Sequence, residues 1–149
     1  MQHKKVMAHE IMPTIQEMLA SDQTVFLKVS GNSMRPFYVH HQTVVSLLKP
    51  NRAFKRFDVC LYQDCGVYKL HRIVKIKDDT LIILGDALNQ KELIQKTQII
   101  GLVHTHQNKG KVIKHHQKRY LFKVYVWHVL RPFRRILLKL LRKTYGSTH

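Results

Sequence analysis

Apolar and polar positions alternate over residues 24–30. Val25, Leu27 and Val29 fall on one side, and Thr24, Phe26, Lys28 and Ser30 on the other, the two-residue period of a strand with one face buried. Before it, Val6, Ile11, Ile15, Met18 and Leu19 recur at helical spacing, and Pro13 weakens that helix. After it, residues 42–50, 54–63, 66–77, 80–86, 97–107 and 111–116 read as further short strands. Turn signals at Lys49-Pro50-Asn51, Asp64-Cys65-Gly66, Lys77-Asp78-Asp79 and Asn108-Lys109-Gly110 separate several of them, and residues 87–95 read as a loop. From residue 117 the pattern returns to helical spacing, with Lys and Arg filling the gaps between Leu121, Val124, Trp127, Val129, Leu130, Phe133, Ile136, Leu137, Leu140 and Leu141. The pattern predicts a mainly β protein: a helix over 1–23, a compact antiparallel β domain over 24–116, and a cationic amphipathic helical tail over 117–149.

Charge sharpens this picture. The chain has 26 Lys and Arg against 9 Asp and Glu, a formal net charge of +17. The last carboxylate side chain is Glu92, so no acidic residue offsets the basic ones in the tail. Such a one-signed segment calls for an anionic partner, and a cationic amphipathic helix suits an anionic membrane surface. Trp127, Arg131, Arg134, Arg135, Lys139, Arg142 and Lys143 are the residues expected to meet it. Nucleic acid is disfavoured, because the tail presents no aromatic platform for stacking bases. No secretory signal pattern opens the chain, and no apolar run approaches the length of a membrane span. A cytoplasmic protein, or one peripheral on the cytoplasmic membrane face, is expected. Cys60 and Cys65 are too few for a disulfide framework and read as packing or incidental thiols. His104, Thr105 and His106 with His115 and His116 could gather across a hairpin, but nothing fixes a full ligand set; no metal or cofactor is expected.

The chemistry concentrates in GNSMRP, residues 31–36. A turn needs Gly31 and Asn32, but it does not need Met34 and Pro36 around Ser33. A serine is a weak nucleophile until a base takes its proton. A candidate base, His71, stands on the strand YKLHRIV, and Asp86 and Glu92 follow the next strand. Serine, histidine and acid thus lie within 60 residues on a β scaffold.

Five segments in order, GNSMRP, FKRFDVCLY, YKLHRIVKI, LGDALNQ and IIGLV, resemble signal peptidase I and the LexA-type self-cleaving repressors. The resemblance covers residues 25–103. It implies the signal-peptidase/LexA-like β fold and a serine endopeptidase that processes a peptide or protein precursor, with Ser33 as nucleophile. Most bacterial members carry a lysine base where this chain has His71. In this respect the chain is similar to the signal peptidases of the endoplasmic reticulum and spore-forming bacteria, which use Ser and His with a carboxylate. Asp86 and Glu92 both remain open as that carboxylate. Three departures stand out: Phe57 precedes Asp58 where the family has Gly, Gly31 replaces a frequent second hydroxyl, and the usual N-terminal membrane anchor is missing. The first 24 residues hold at most one helix, which argues against a repressor. The competing expectation is a non-catalytic module of the same fold whose basic tail docks to membrane, acidic peptide or nucleic acid.

Overall fold

In the computed structural model, residues 2–145 are described, with side chains from Glu10 to Arg142. Helix α1 (Gln2–Ala20) leads into eight strands: β1 (Val25–Lys28), β2 (Val44–Leu48), β3 (Val59–Asp64), β4 (Val67–Lys77), β5 (Thr80–Leu84), β6 (Glu92–Gln95), β7 (Ile99–Asn108) and β8 (Lys111–Lys114). Helices α2 (Lys118–Val129) and α3 (Arg134–Tyr145) follow, joined through a short 3₁₀ turn at Arg131–Phe133. The mainly antiparallel β architecture with helices at both ends agrees with the expected class. The strands form one sheet in the order β1-β2-β7-β3-β4-β5-β6, with β8 pairing to β7.

Because side chains alternate across a strand, β3 feeds two cores. Val59 and Leu61 join Val25, Val45, Leu47 and Val103 in one, which α1 covers with Met12, Ile15 and Leu19. Cys60 and Tyr62 join Ile73, Leu81, Ile83, Ile94 and Leu102 in the other. Bulges in β7, where its register shifts against β2 and against β3, and in β4, where it shifts against β5, bend the sheet around these two clusters. The turn between β3 and β4 needs two left-handed residues, Cys65 at φ 46° and Gly66 at φ 75°.

Four expectations change. Helix α1 continues through Pro13, an interior proline that costs about 3 kcal/mol by itself; burial of Met12, Ile15 and Leu19 offsets that loss. Its buried stripe includes Met12, whereas Ile11 is 46% exposed. The stretch expected as a loop over 87–95 ends in strand β6, which pairs with β5 as Glu92 to Ile83 and Ile94 to Leu81. A segment as mixed as Glu-Leu-Ile-Gln becomes a strand through that pairing rather than through its own propensity. The tail, finally, is not a separate appendage along its whole length: α2 buries Tyr120, Val124 and Trp127 against the sheet and its loops.

Candidate active site

The GNSMRP loop leaves β1 with a left-handed Gly31, φ 102°, whose N–H donates to His40 Nδ1 at 2.7 Å. Met34 then turns inward and is 2% exposed in the core with Tyr38, which pins the loop from beneath. Asn32 stays exposed and Ser33 is half-buried. Pro36 and Phe37 border a shallow apolar hollow with Phe122, Val126, Trp127 and Leu130 of the tail.

Two contacts tie Ser33 to the turn after β5. Its carbonyl accepts the Ala87 N–H at 2.8 Å. A methyl group placed on Gly85 would lie 2.8 Å from that same carbonyl oxygen, so glycine at 85 is what allows the approach. Leu84, just before this turn, pairs with Arg72 of β4, the neighbour of His71. The serine loop therefore meets the turn that follows β5, and β5 is the neighbour of the strand that carries His71, although 38 residues separate Ser33 from His71 in the sequence.

His71 is 5% exposed. Its Nδ1 lies 2.9 Å from the Tyr62 hydroxyl and 3.7 Å from Glu92 Oε1. Tyr62 in turn donates to Glu92 Oε2 at 2.8 Å. A tyrosine hydroxyl carries one proton, and the carboxylate takes it; toward His71 the hydroxyl can then only accept. That assigns the imidazole proton to Nδ1 and leaves Nε2 with its lone pair, the tautomer a general base requires. Burial lowers the His71 pKa below its usual value; the Glu92 charge opposes this and the Lys69 charge adds to it. The ring is neutral at pH 7.

Glu92 is kept ionised by its neighbours. Burial would raise its pKa, but hydrogen bonds from Lys69 and Tyr62 and the charges of Lys69 and His71 bring it below the ordinary value. Lys69 Nζ donates to Glu92 Oε2 at 2.8 Å and lies 3.7 Å from Asp64 Oδ2. The hydrogen bond to Glu92 foremost, and the charges of Glu92 and Asp64, raise the Lys69 pKa, so this lysine remains a cation and is no proton acceptor.

Of the two carboxylates left open by the sequence, Glu92 is the one beside His71. Asp86 is taken by Arg72, on the opposite face of β4, in a two-pronged ion pair at 2.8 and 2.7 Å. Arg72 further donates to the Phe57 carbonyl at 2.9 Å and to the Tyr120 hydroxyl at 3.0 Å.

The residues expected on a membrane or partner surface divide. Trp127 Nε1 donates to the Asp86 carbonyl at 2.8 Å, Arg131 to the Asn89 carbonyl at 2.8 Å and Arg134 to the Leu88 carbonyl at 2.6 Å. These three fasten the tail to the turn after β5, because the last carbonyls of that turn have no strand partner and the tail supplies donors. Arg135, Lys139 and Arg142 are exposed. The Lys143 side chain lies outside the described residues.

His106 and His115 are buried beside each other, Nδ1 to Nε2 at 3.1 Å, with the Tyr38 hydroxyl 2.8 Å from His115 Nε2. Among the described residues no group of three or more His, Cys, Asp or Glu is arranged to hold a metal ion. Both cysteines are free, Cys60 buried and Cys65 exposed.

The sequence reading missed Tyr62. Its only advance signal was its place on β3, two residues beyond Cys60 and so on the same face; that β3 lies beside β4 in register Tyr62 to Lys69 is a fact of the sheet. Among the described residues no helix is long and apolar enough to cross a membrane. No protein-family model matches the chain, and no curated protein matches it.

Proposed function

We propose that this chain is a serine endopeptidase of the signal-peptidase type, acting on a peptide or protein precursor. The observation that carries the reading is the setting of His71: its Nδ1 lies 2.9 Å from the Tyr62 hydroxyl, which donates to Glu92, on the strand paired with β5, whose following turn meets the Ser33 carbonyl. In the proposed reaction Ser33 Oγ attacks a peptide carbonyl while His71 Nε2 takes its proton. The imidazolium that forms is stabilised by Glu92, directly and through Tyr62. His71 then returns the proton to the leaving amine, and water completes the hydrolysis of the acyl-enzyme by the same relay. The Ser33 backbone N–H, with Asn32 beside it, supplies hydrogen bonds to the oxyanion.

The finer fold reading goes with it. The motif segments on β3, β4, β5 and β7 are consecutive neighbours in the sheet, which supports a signal-peptidase/LexA-like arrangement around Ser33.

The test is cleavage of a diverse peptide pool by the purified chain, read by mass spectrometry. Ser33→Ala should lower cleavage by on the order of 10⁴-fold with an unchanged melting temperature. Cleavage that persists in Ser33→Ala, or no cleavage by the wild-type chain, would overturn the reading in favour of a non-catalytic module.

A further inference from the structure

Helix α2 has two apolar faces. One, Tyr120, Val124 and Trp127, is buried against the sheet and its loops. A helix packed in this way ordinarily turns a polar face to water. Here the outward side carries Phe122 at 67% exposure, Tyr125 at 52% and Val129 at 58%. The series continues past Pro132 with Phe133 at 58%, Ile136 at 62% and Leu140 at 57%. The two helices flank the same loop: Phe122, Val126 and Leu130 of α2 and its C-terminal end line a hollow with Pro36, and Leu138 and Leu141 of α3 line another with Pro36.

The rim of this apolar surface is basic. Lys118, Arg119, Lys123, Arg135, Lys139 and Arg142 are exposed, and no Asp or Glu occurs anywhere after Glu92. We propose that the outward apolar face of α2 and α3 docks on an anionic lipid bilayer surface, its side chains entering the interface and the surrounding Lys and Arg meeting the headgroups. The charge selects this occupant. A second copy of the chain would bring two cationic rims together with no carboxylate in either segment to offset them. A bilayer surface of anionic lipid offers both what the apolar face lacks and what the rim requires. No helix needs to span the membrane for this, and the two short helices with a bend at Pro132 suit a surface position. The proposal does not depend on the peptidase reading; Ser33→Ala should bind as the wild type does.

The experiment is flotation of the full chain with vesicles of phosphatidylglycerol and phosphatidylcholine in equal parts, against vesicles of phosphatidylcholine alone, with the oligomeric state measured in parallel without lipid. The wild-type chain should float with the anionic vesicles, remain behind with the neutral ones, and be released by high salt. Phe122→Gln with Ile136→Gln, at two exposed positions that leave the packed face intact, should lower partitioning at least about tenfold. Arg135→Gln with Lys139→Gln should lower it on the order of tenfold as well. Absence of flotation, equal flotation with neutral vesicles, or an apolar double variant that floats like the wild type would overturn the proposal. So would a lipid-free dimer that the apolar double variant converts to monomer, since a second copy would then be the occupant.

Discussion

His71 and Arg72 are adjacent in β4 and face opposite sides of the sheet, and each leads to a carboxylate from beyond β5. The networks around them differ in kind. Arg72 and Asp86 are almost wholly buried, at 1% and 4% exposure, and the guanidinium donates to Asp86, the Phe57 carbonyl and Tyr120 together. Removal of either charge leaves the other stranded away from water. On the other face, Glu92 and Lys69 keep part of their surface in solvent, with side chains 23% and 30% exposed. There a carboxylate accepts hydrogen bonds from a phenol and an ammonium, and an imidazole stands beside the phenol. One residue step along a strand thus separates an ion pair that fastens β4 to the turn after β5 from a set of groups able to move a proton. The comparison teaches that a buried acid–base pair need not be a chemical one: both oxygens of Asp86 are taken by Arg72, whereas Glu92 keeps part of its surface in solvent beside the buried ring of His71.

The largest expected effect breaks the buried side. Asp86→Asn leaves Arg72 uncompensated, and stability should fall by about 3–5 kcal/mol, measured by urea denaturation. A loss under 1 kcal/mol there would mean the pair is not what holds the turn to β4. On the other face, Glu92→Gln should lower the cleavage rate by on the order of 10²-fold, within the range that general acid–base partners contribute, while stability changes by only about 1 kcal/mol. If Asp86→Asn were fully folded and inactive while Glu92→Gln kept its rate, the roles assigned to the two carboxylates would have to be exchanged.

Gly85→Ala tests the contact by which the serine loop meets the sheet. The added methyl group would meet the Ser33 carbonyl oxygen at 2.8 Å and Leu88 at 2.9 Å. Overpacking of this kind costs about 1–3 kcal/mol. Here the displaced group is the backbone of the proposed nucleophile, so turnover should fall further than the shift in melting temperature accounts for. A variant as active as the wild type would show that the loop has room to move without consequence.

The smallest effect is a displacement along the pH axis. His71 must be neutral to accept a proton, so kcat/KM should rise with pH through its pKa, which burial places below the ordinary value of about 6.5. The sign for stability is the same: the folded protein resists protonation of His71 more than the unfolded chain does, so stability is retained above about pH 6.5 and declines as pH falls through the folded value. His106 adds to the decline, since burial holds its pKa at about 4. Lys69→Met removes a charge that disfavours the imidazolium and should move the acid limb of kcat/KM to higher pH. Glu92→Gln should move it the other way. Two limbs shifted in the same direction would contradict the electrostatic arrangement around His71.

Much of the fold follows from short-range pattern. The alternation through Val25, Leu27 and Val29, the turn at Asp64-Cys65-Gly66 and the glycine demanded at position 31 are local properties, and they appear where the pattern places them. So does the helical character after residue 117. By itself the sequence determined that the chain is mainly β with helical ends, that its C-terminal segment is strongly cationic, and that Ser33 and His71 are the residues to examine. The tertiary structure alone decided which acid stands beside His71, because β6 exists only through its pairing with β5, and that pairing carries Glu92 to the histidine while Arg72 takes Asp86. It alone revealed Tyr62, which reaches His71 across a strand boundary rather than along the chain. It also divided the tail, burying Trp127 and Arg134 and leaving Phe122, Ile136 and Arg135 outside. Periodicity says which residues share a face; it does not say which neighbour that face will meet, since the neighbour is set by the order of strands in the sheet and by the loops that bring distant segments together.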